Sequence, residues 1–227
     1  MNKKTVFITG AARGIGESIY KKLKTEKYKI IAPTREELDL SDSVSINQYI
    51  DTHKDLKIDI LINNAGINLP TWIDELSDDN INQHIQINLT SPIKLINAFV
   101  PNMKKNKWGR IINISSRAWL GNRGQSNYSA SKAGVVALTR VLALELGKYN
   151  VCVNAVAPGL IDTPLTEKLE KDVLQKLIES QPTKTMGIPE DVANVVSFLA
   201  SEKTGFITGQ TIYVDRVPAL VCTSCGE

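Results

Sequence analysis

This sequence has little that would cross-link it, load it with metal or hold it in a membrane. Its three cysteines are an odd number in a chain of 227 residues, which points to a reducing, cytoplasmic setting. Cys222 and Cys225 form a Cys-x-x-Cys without a second ligand pair, so the expectation is an inert tail and no metal. Cys152 lies inside an apolar run and reads as a small core residue. No stretch approaches the roughly 18 consecutive apolar residues of a membrane-spanning helix. The charge balance of 27 basic against 24 acidic residues leaves +3, too mild a surplus for a nucleic-acid or membrane-surface protein. Two lysines near the start are followed at once by a strand and a glycine turn, which excludes a secretory signal from the reading.

What remains is an ordinary soluble composition, 42% hydrophobic and 22% charged, enough for a sizeable core. Along the chain, short β-branched runs alternate with helical periodicity. Strands are predicted at 4–9, 28–33, 58–63, 110–114, 151–157 and 211–215. Helices are predicted at 17–27, 43–53, 76–103 with a break or kink at Pro92, 125–146, 167–179, and from Pro189 onward. The alternation predicts one α/β domain over residues 1–227, a Rossmann-like doubly wound parallel sheet with helices on both faces. Leu38-Asp39-Leu40 follows the second strand too closely for a helical crossover, so a trimmed sheet edge is expected there.

The first strand runs into Gly10-Ala11-Ala12-Arg13-Gly14-Ile15-Gly16 and then a helix. Glycines there admit a pyrophosphate to the backbone, and the helix start supplies N–H donors. At the end of the second strand, where an acidic residue would hold the ribose of NAD, stand Thr34 and Arg35. With Arg13 in the glycine turn, they favour the 2′-phosphate of NADP, although Glu36 and Glu37 are potential partners for Arg35. Asn63-Asn64-Ala65-Gly66 ends a central strand, where open α/β sheets bind ligands.

A chemical constellation follows. Tyr128 and Lys132 are four residues apart on one helix, hence on one face, and Ser115 closes the preceding strand. A free phenol ionises near pH ~10, too high for proton transfer at neutral pH, and a neighbouring ammonium is expected to lower that value. Ser115 is within reach of the same point, to hydrogen-bond a substrate oxygen. Asn88, polar within an apolar stretch, needs buried partners.

Together these pieces resemble the short-chain dehydrogenase/reductase family over residues 4–215, with wording around Tyr128 closest to 3-oxoacyl-[acyl-carrier-protein] reductases. The motifs are Thr9-Gly10-x3-Gly14-Ile15-Gly16, Asn63-Asn64-Ala65-Gly66, Asn88, Ser115 with Tyr128-x3-Lys132, and Pro158-Gly159. The resemblance implies Tyr128 as acid/base, Lys132 as its tuner and ribose ligand, Ser115 as carbonyl polariser and Asn88 as holder of a relay water. Ser115 is preferred to Ser116 because a separation of thirteen residues from the tyrosine is the usual one. The implied cofactor contacts are Gly10, Arg13, Gly14, Ile15, Gly16, Arg35, Asp39, Leu40, Asn63, Ala65, Gly66, Tyr128, Lys132, Pro158, Gly159, Ile161 and Thr163. The activity implied is NADP(H)-dependent reduction of a ketone, with NAD(H) as the second cofactor choice. The substrate expected is a small carbonyl or acyl thioester, the alternatives being a sugar, a polyol or another small ketone. Family habit implies a homodimer or homotetramer. A cofactor-binding sensor without turnover is the competing class, supported only by the tail after Asp215, which lacks the family's usual glycines. His53 and His84 read as surface or helix residues without a catalytic part.

Overall fold

The computed structural model describes residues 3–26 and 28–216. Its centre is one parallel sheet of six strands in the order β2-β1-β3-β4-β5-β6. The strands are β1 (Thr5–Ile8), β2 (Lys29–Ile31), β3 (Ile60–Asn63), β4 (Gly109–Ile114), β5 (Val151–Pro158) and β6 (Thr211–Val214). β3, β4 and β5 are buried along their whole length, as continuous apolar runs in a doubly covered parallel sheet must be. Alternate side chains serve opposite layers: Phe7, Leu61, Ile111 and Val153 face one core, and Val6, Ile8, Ile62 and Ile112 the other.

The first core is closed by α2 (Ser43–Thr52), α4 (Ser91–Asn106) and α5 (Ser126–Leu146), through Ile46, Leu95, Phe99, Met103 and Leu146. The second is closed by α1 (Gly14–Thr25) and α7 (Pro189–Ala200), through Ile19, Leu23, Val192, Val196 and Leu199. Among the described residues no helix is long and apolar enough to cross a membrane. β2 is one edge of the sheet, β6 the other, and Leu38-Asp39-Leu40 forms no strand beside β2, so the expected trimming is real. Leu38 nevertheless packs into the first core, and Asp42 caps α2 by accepting from the N–H groups of Val44 and Ser45.

Two expectations need correction. The helical stretch 76–103 begins as α3 (Asp78–Ile85), capped by Ser77, and passes through one π-helical turn (Gln86–Thr90) into α4, which extends to Asn106. The irregularity is this π turn, centred on Asn88, and Pro92 sits harmlessly in the first turn of α4, where its missing N–H costs nothing. Pro101 lies inside α4 instead. The weakly patterned region after β5 contains a short α6 (Lys171–Ser180) with no fully buried residue. Cys222 and Cys225 lie outside the described residues.

Candidate active site

The strand order reverses between β1 and β3, so the loops leaving their carboxyl ends part and open a crevice. The glycine turn after β1 forms one wall. Gly14 has φ +56, a left-handed conformation that glycine adopts freely. At Gly16 a Cβ would stand 2.0 Å from the Gly10 carbonyl oxygen, so only glycine lets α1 start this close to β1. The other wall braces the first. Asn64 donates its amide hydrogens to the carbonyls of Thr9 and Gly10, both at 3.0 Å. The Thr9 hydroxyl accepts from the N–H groups of Asn64 and Ala65. Across the crevice, a side chain on Gly14 would touch Thr163 and Pro164, so the turn and the segment after Pro158-Gly159 meet. These cradles fit a dinucleotide: backbone without side chains, at a helix start, under a sheet switch point.

Beyond the end of β2 the polar side chains bond among themselves. Arg35 pairs with Asp39 at 3.4 Å, while Glu37 closes a local turn with Thr34. Asp39 also accepts from the N–H and hydroxyl of Ser41, and these bonds hold its carboxyl below the ordinary range, with Arg35 adding to the effect. Arg13 is exposed at the cap of α1, and the Leu40 carbonyl accepts from Gln86. Asn63 turns its amide into the sheet, donating to Asn113 at 2.8 Å, and its Oδ1 is a buried acceptor without a protein partner.

The reacting end lies where β4 stops. Lys132 is buried in α5 and donates from Nζ to the Ile114 carbonyl at 2.8 Å. Burial lowers its pKa to about 8. Nζ and the Oδ1 of Asn88 each lie 3.2 Å from the point where a side chain on Gly66 would begin, so these three residues converge. Asn88 spends its side chain on the protein: it accepts from the Ile67 N–H and donates to the Ile67 carbonyl and the Ser131 hydroxyl. Both of its amide hydrogens are thus used within the protein. Its signal in the sequence was correct, and its partners come from the neighbouring loop and α5.

Tyr128 stands one turn before Lys132, whose ammonium lies 5.7 Å from its ring centre. Burial pushes the phenol up, and the hydroxyl of Ser116 opposes this as a hydrogen-bond partner. The Lys132 charge is turned to the Ile114 carbonyl and is itself disfavoured by burial. The two adjacent serines have different surroundings. Ser115 continues the sheet ladder through its N–H to Val156, is 3% exposed, and gives its hydroxyl to the Lys132 carbonyl. Ser116 is the residue brought to the phenol. It also caps the turn Arg117–Leu120 by accepting from Ala118. Arg117, which the sequence offers only as a basic residue near the site, reaches from this turn to the shielded carboxylate of Asp215 at 3.1 Å, and a Gly159 side chain would collide with that carboxylate.

A doubly wound sheet with a dinucleotide crevice facing a tyrosine, a serine and a lysine defines a nicotinamide-dependent oxidoreductase. The family model described as Enoyl-(Acyl carrier protein) reductase matches residues 32–216. A 3-oxoacyl-[acyl-carrier-protein] reductase of Rickettsia felis is 40% identical over 229 residues, 93% of this chain and 95% of that enzyme. A (2S)-[(R)-hydroxy(phenyl)methyl]succinyl-CoA dehydrogenase subunit of Thauera aromatica is 48% identical over 158 residues, 70% of this chain and 64% of that subunit. Among solved structures, 4-hydroxyisoleucine dehydrogenase complexed with NADH superimposes with a TM-score of 0.89 at 32% identity, covering 94% of this chain and 98% of that one. The chain belongs to the short-chain dehydrogenase/reductase family.

Proposed function

We propose that this chain is an NADP(H)-dependent ketone reductase whose best-supported substrate class is a 3-oxoacyl thioester. The observation that carries the reading is the Ser116 hydroxyl beside the Tyr128 phenol, next to buried Lys132. Two neighbouring O–H groups suit an oxygen that gains negative charge, as a ketone does when it becomes an alkoxide. When bound, the cofactor supplies the hydride. Tyr128 delivers the proton to the oxygen, Ser116 orients and polarises the carbonyl in the part first assigned to Ser115, and Lys132 holds the ribose. Asn88 fixes Ile67 and Ser131 around them. Gly10, Arg13, Gly14, Ile15 and Gly16 are assigned to the phosphates, and Arg35, Asp39, Leu40, Asn63, Ala65 and Gly66 to the adenosine side. Pro158, Gly159, Ile161 and Thr163 are assigned to the nicotinamide.

The substrate class leans on relatives that act on carrier-protein and coenzyme A thioesters. A dehydrogenase of 4-hydroxyisoleucine among the structural neighbours supports a second reading, a small ketone or alcohol. NADP(H) is favoured by the exposed guanidiniums of Arg13 and Arg35, with NAD(H) the alternative because Asp39 neutralises part of the second. Assembly through α4 and α5 is supported by Ile93, Val141 and Leu144, which are 43%, 50% and 71% exposed.

Purified protein is expected to oxidise NADPH when given an acetoacetyl thioester, with kcat/KM about tenfold lower for NADH, the worth of one good phosphate contact. Equal or better use of NADH would sink the NADP assignment. Preferential consumption of a 2-enoyl thioester would replace ketone reduction by the enoyl chemistry that the family description names. In the same assay Ser116→Ala is expected to lower kcat about a hundredfold, as loss of an oxyanion donor does. Ser115→Ala is expected to leave kcat alone and to cost ~1 kcal/mol of stability, the worth of its bond to the Lys132 carbonyl. The reverse pattern would return the role to Ser115.

A further inference from the structure

His84 has no part in the chemistry above, yet it is fully buried in α3 and its ring meets that of Tyr128 edge-on, with centroids 6.5 Å apart. Its Nε2 lies 3.1 Å from the main-chain N–H of Leu69, and its Nδ1 lies 2.8 Å from the Asn80 carbonyl. A main-chain N–H cannot be turned round, so Nε2 keeps its lone pair and the ring hydrogen resides on Nδ1, which donates to Asn80. Asn127, the residue before Tyr128, packs its amide 2.9 Å from the same Nδ1. The Asn127 oxygen already accepts from the Tyr128 main-chain N–H and its nitrogen donates to the Asn80 side-chain oxygen, so the ring hydrogen is assigned from the two main-chain groups.

Leu69 belongs to the segment 67–71 that continues from Gly66. Asn88 holds the segment at one end through both main-chain groups of Ile67. At the other end Thr71 donates its N–H to Gly124 at 2.8 Å and bridges to Gln125, the residue before α5. His84 is the tether in the middle. The segment thus spans from the Asn88–Lys132 cluster to the start of the helix that carries Tyr128, and it presents Leu69, 46% exposed, to the outside.

We infer that His84 is a positioning residue for the substrate mouth: as the neutral Nδ1–H tautomer it fixes segment 67–71 against the start of α5. The inference rests on the ketone-reductase reading for its kinetic consequence and on geometry alone for its tautomer. His84→Phe keeps the ring volume but takes away the acceptor of the Leu69 N–H. It is expected to raise KM for the carbonyl substrate at least about tenfold, while kcat changes less and the dissociation constant of NADPH stays within about twofold. His84→Gln, whose amide oxygen can accept from Leu69, is expected to recover most of the loss.

The tautomer is read without substrate. The chain has two histidines, so long-range proton–nitrogen spectra of the wild type and His84→Gln assign the ring at once. An Nδ1–H pattern with a raised KM in the Phe variant supports the inference. An Nε2–H pattern overturns it, and so does an unchanged KM, or a KM rise matched by an equal loss of NADPH affinity. Should the wild type reduce no carbonyl, the reductase reading falls, and the spectra alone still decide whether His84 tethers the segment.

Discussion

Tyr128→Phe is expected to bind NADPH as the wild type does and to reduce its carbonyl substrate about a thousandfold more slowly, within the range of positioned general acids. The change removes one oxygen and keeps the ring, so the edge-on contact with His84 and the packing of α5 persist. The physical case begins with the direction of the phenol's shift. Burial pushes it up, and Ser116 only moderates the effect. A raised phenol is protonated throughout the neutral range, which is the state a donor needs when a ketone becomes an alcohol. The same shift handicaps the reverse reaction, which needs the phenolate to take a proton from an alcohol. Reduction by the wild type should therefore be flat with pH through neutrality, whereas alcohol oxidation should rise toward alkaline pH. Steady-state rates in both directions and a fluorescence titration with NADPH measure all of this. A Phe variant retaining a tenth of the reduction rate would remove Tyr128 from the proton-transfer role.

The layers of the fold were legible because burial leaves a simple mark on composition. Ile60-Leu61-Ile62 and Val151-Cys152-Val153 are uninterrupted apolar runs, and such runs occur where both faces of a strand are covered. The trimmed edge was legible from distance alone, since three residues after Thr34 cannot make a crossover. Less could be read wherever the answer depended on which way a side chain turns. The choice between Ser115 and Ser116 was made by counting through a loop, whose length is free to vary. The sheet is a better ruler: Ser115 still bonds to Val156, so the alternation that points Asn113 at Thr139 in α5 also points Ser115 at α5. Ser116 is the first residue outside that register. The π turn at Asn88 was hidden because its five residues read as continuous helix, and Pro92 drew attention to the wrong place. His84 was missed for a related reason. One polar residue on a helix looks solvated until another segment brings it the Leu69 N–H and the Tyr128 ring. Asn63 and Asn64 could be read as a ligand-site pair, but not the split between them, one bracing the sheet and the other the glycine turn.

The strongest conflict between stability and function sits at Lys132, and Lys132→Met should expose it. Lys132 is 4% exposed, and its ammonium donates to the Ile114 carbonyl. Displacement of its pKa from 10.5 to about 8 corresponds to a destabilisation of about 3 kcal/mol at neutral pH, where the group is charged in both folded and unfolded chains. Methionine fills similar volume without charge, and the lost bond to Ile114 returns ~1 kcal/mol of cost. The cofactor-free variant is therefore expected to be more stable than the wild type by about 2 kcal/mol at pH 7, while its reduction rate falls at least about a hundredfold. The pH dependence fixes the cause. Between pH about 8 and 10.5 the unfolded lysine binds a proton that the folded one does not, so wild-type stability gains with rising pH and the variant's advantage shrinks. Above that window the lysine is neutral in both states and the advantage is gone. Denaturant melts of both proteins at neutral and alkaline pH make the comparison. A Met variant less stable than the wild type at pH 7 would mean that Lys132 is an asset to the empty fold rather than a cost retained for its chemistry.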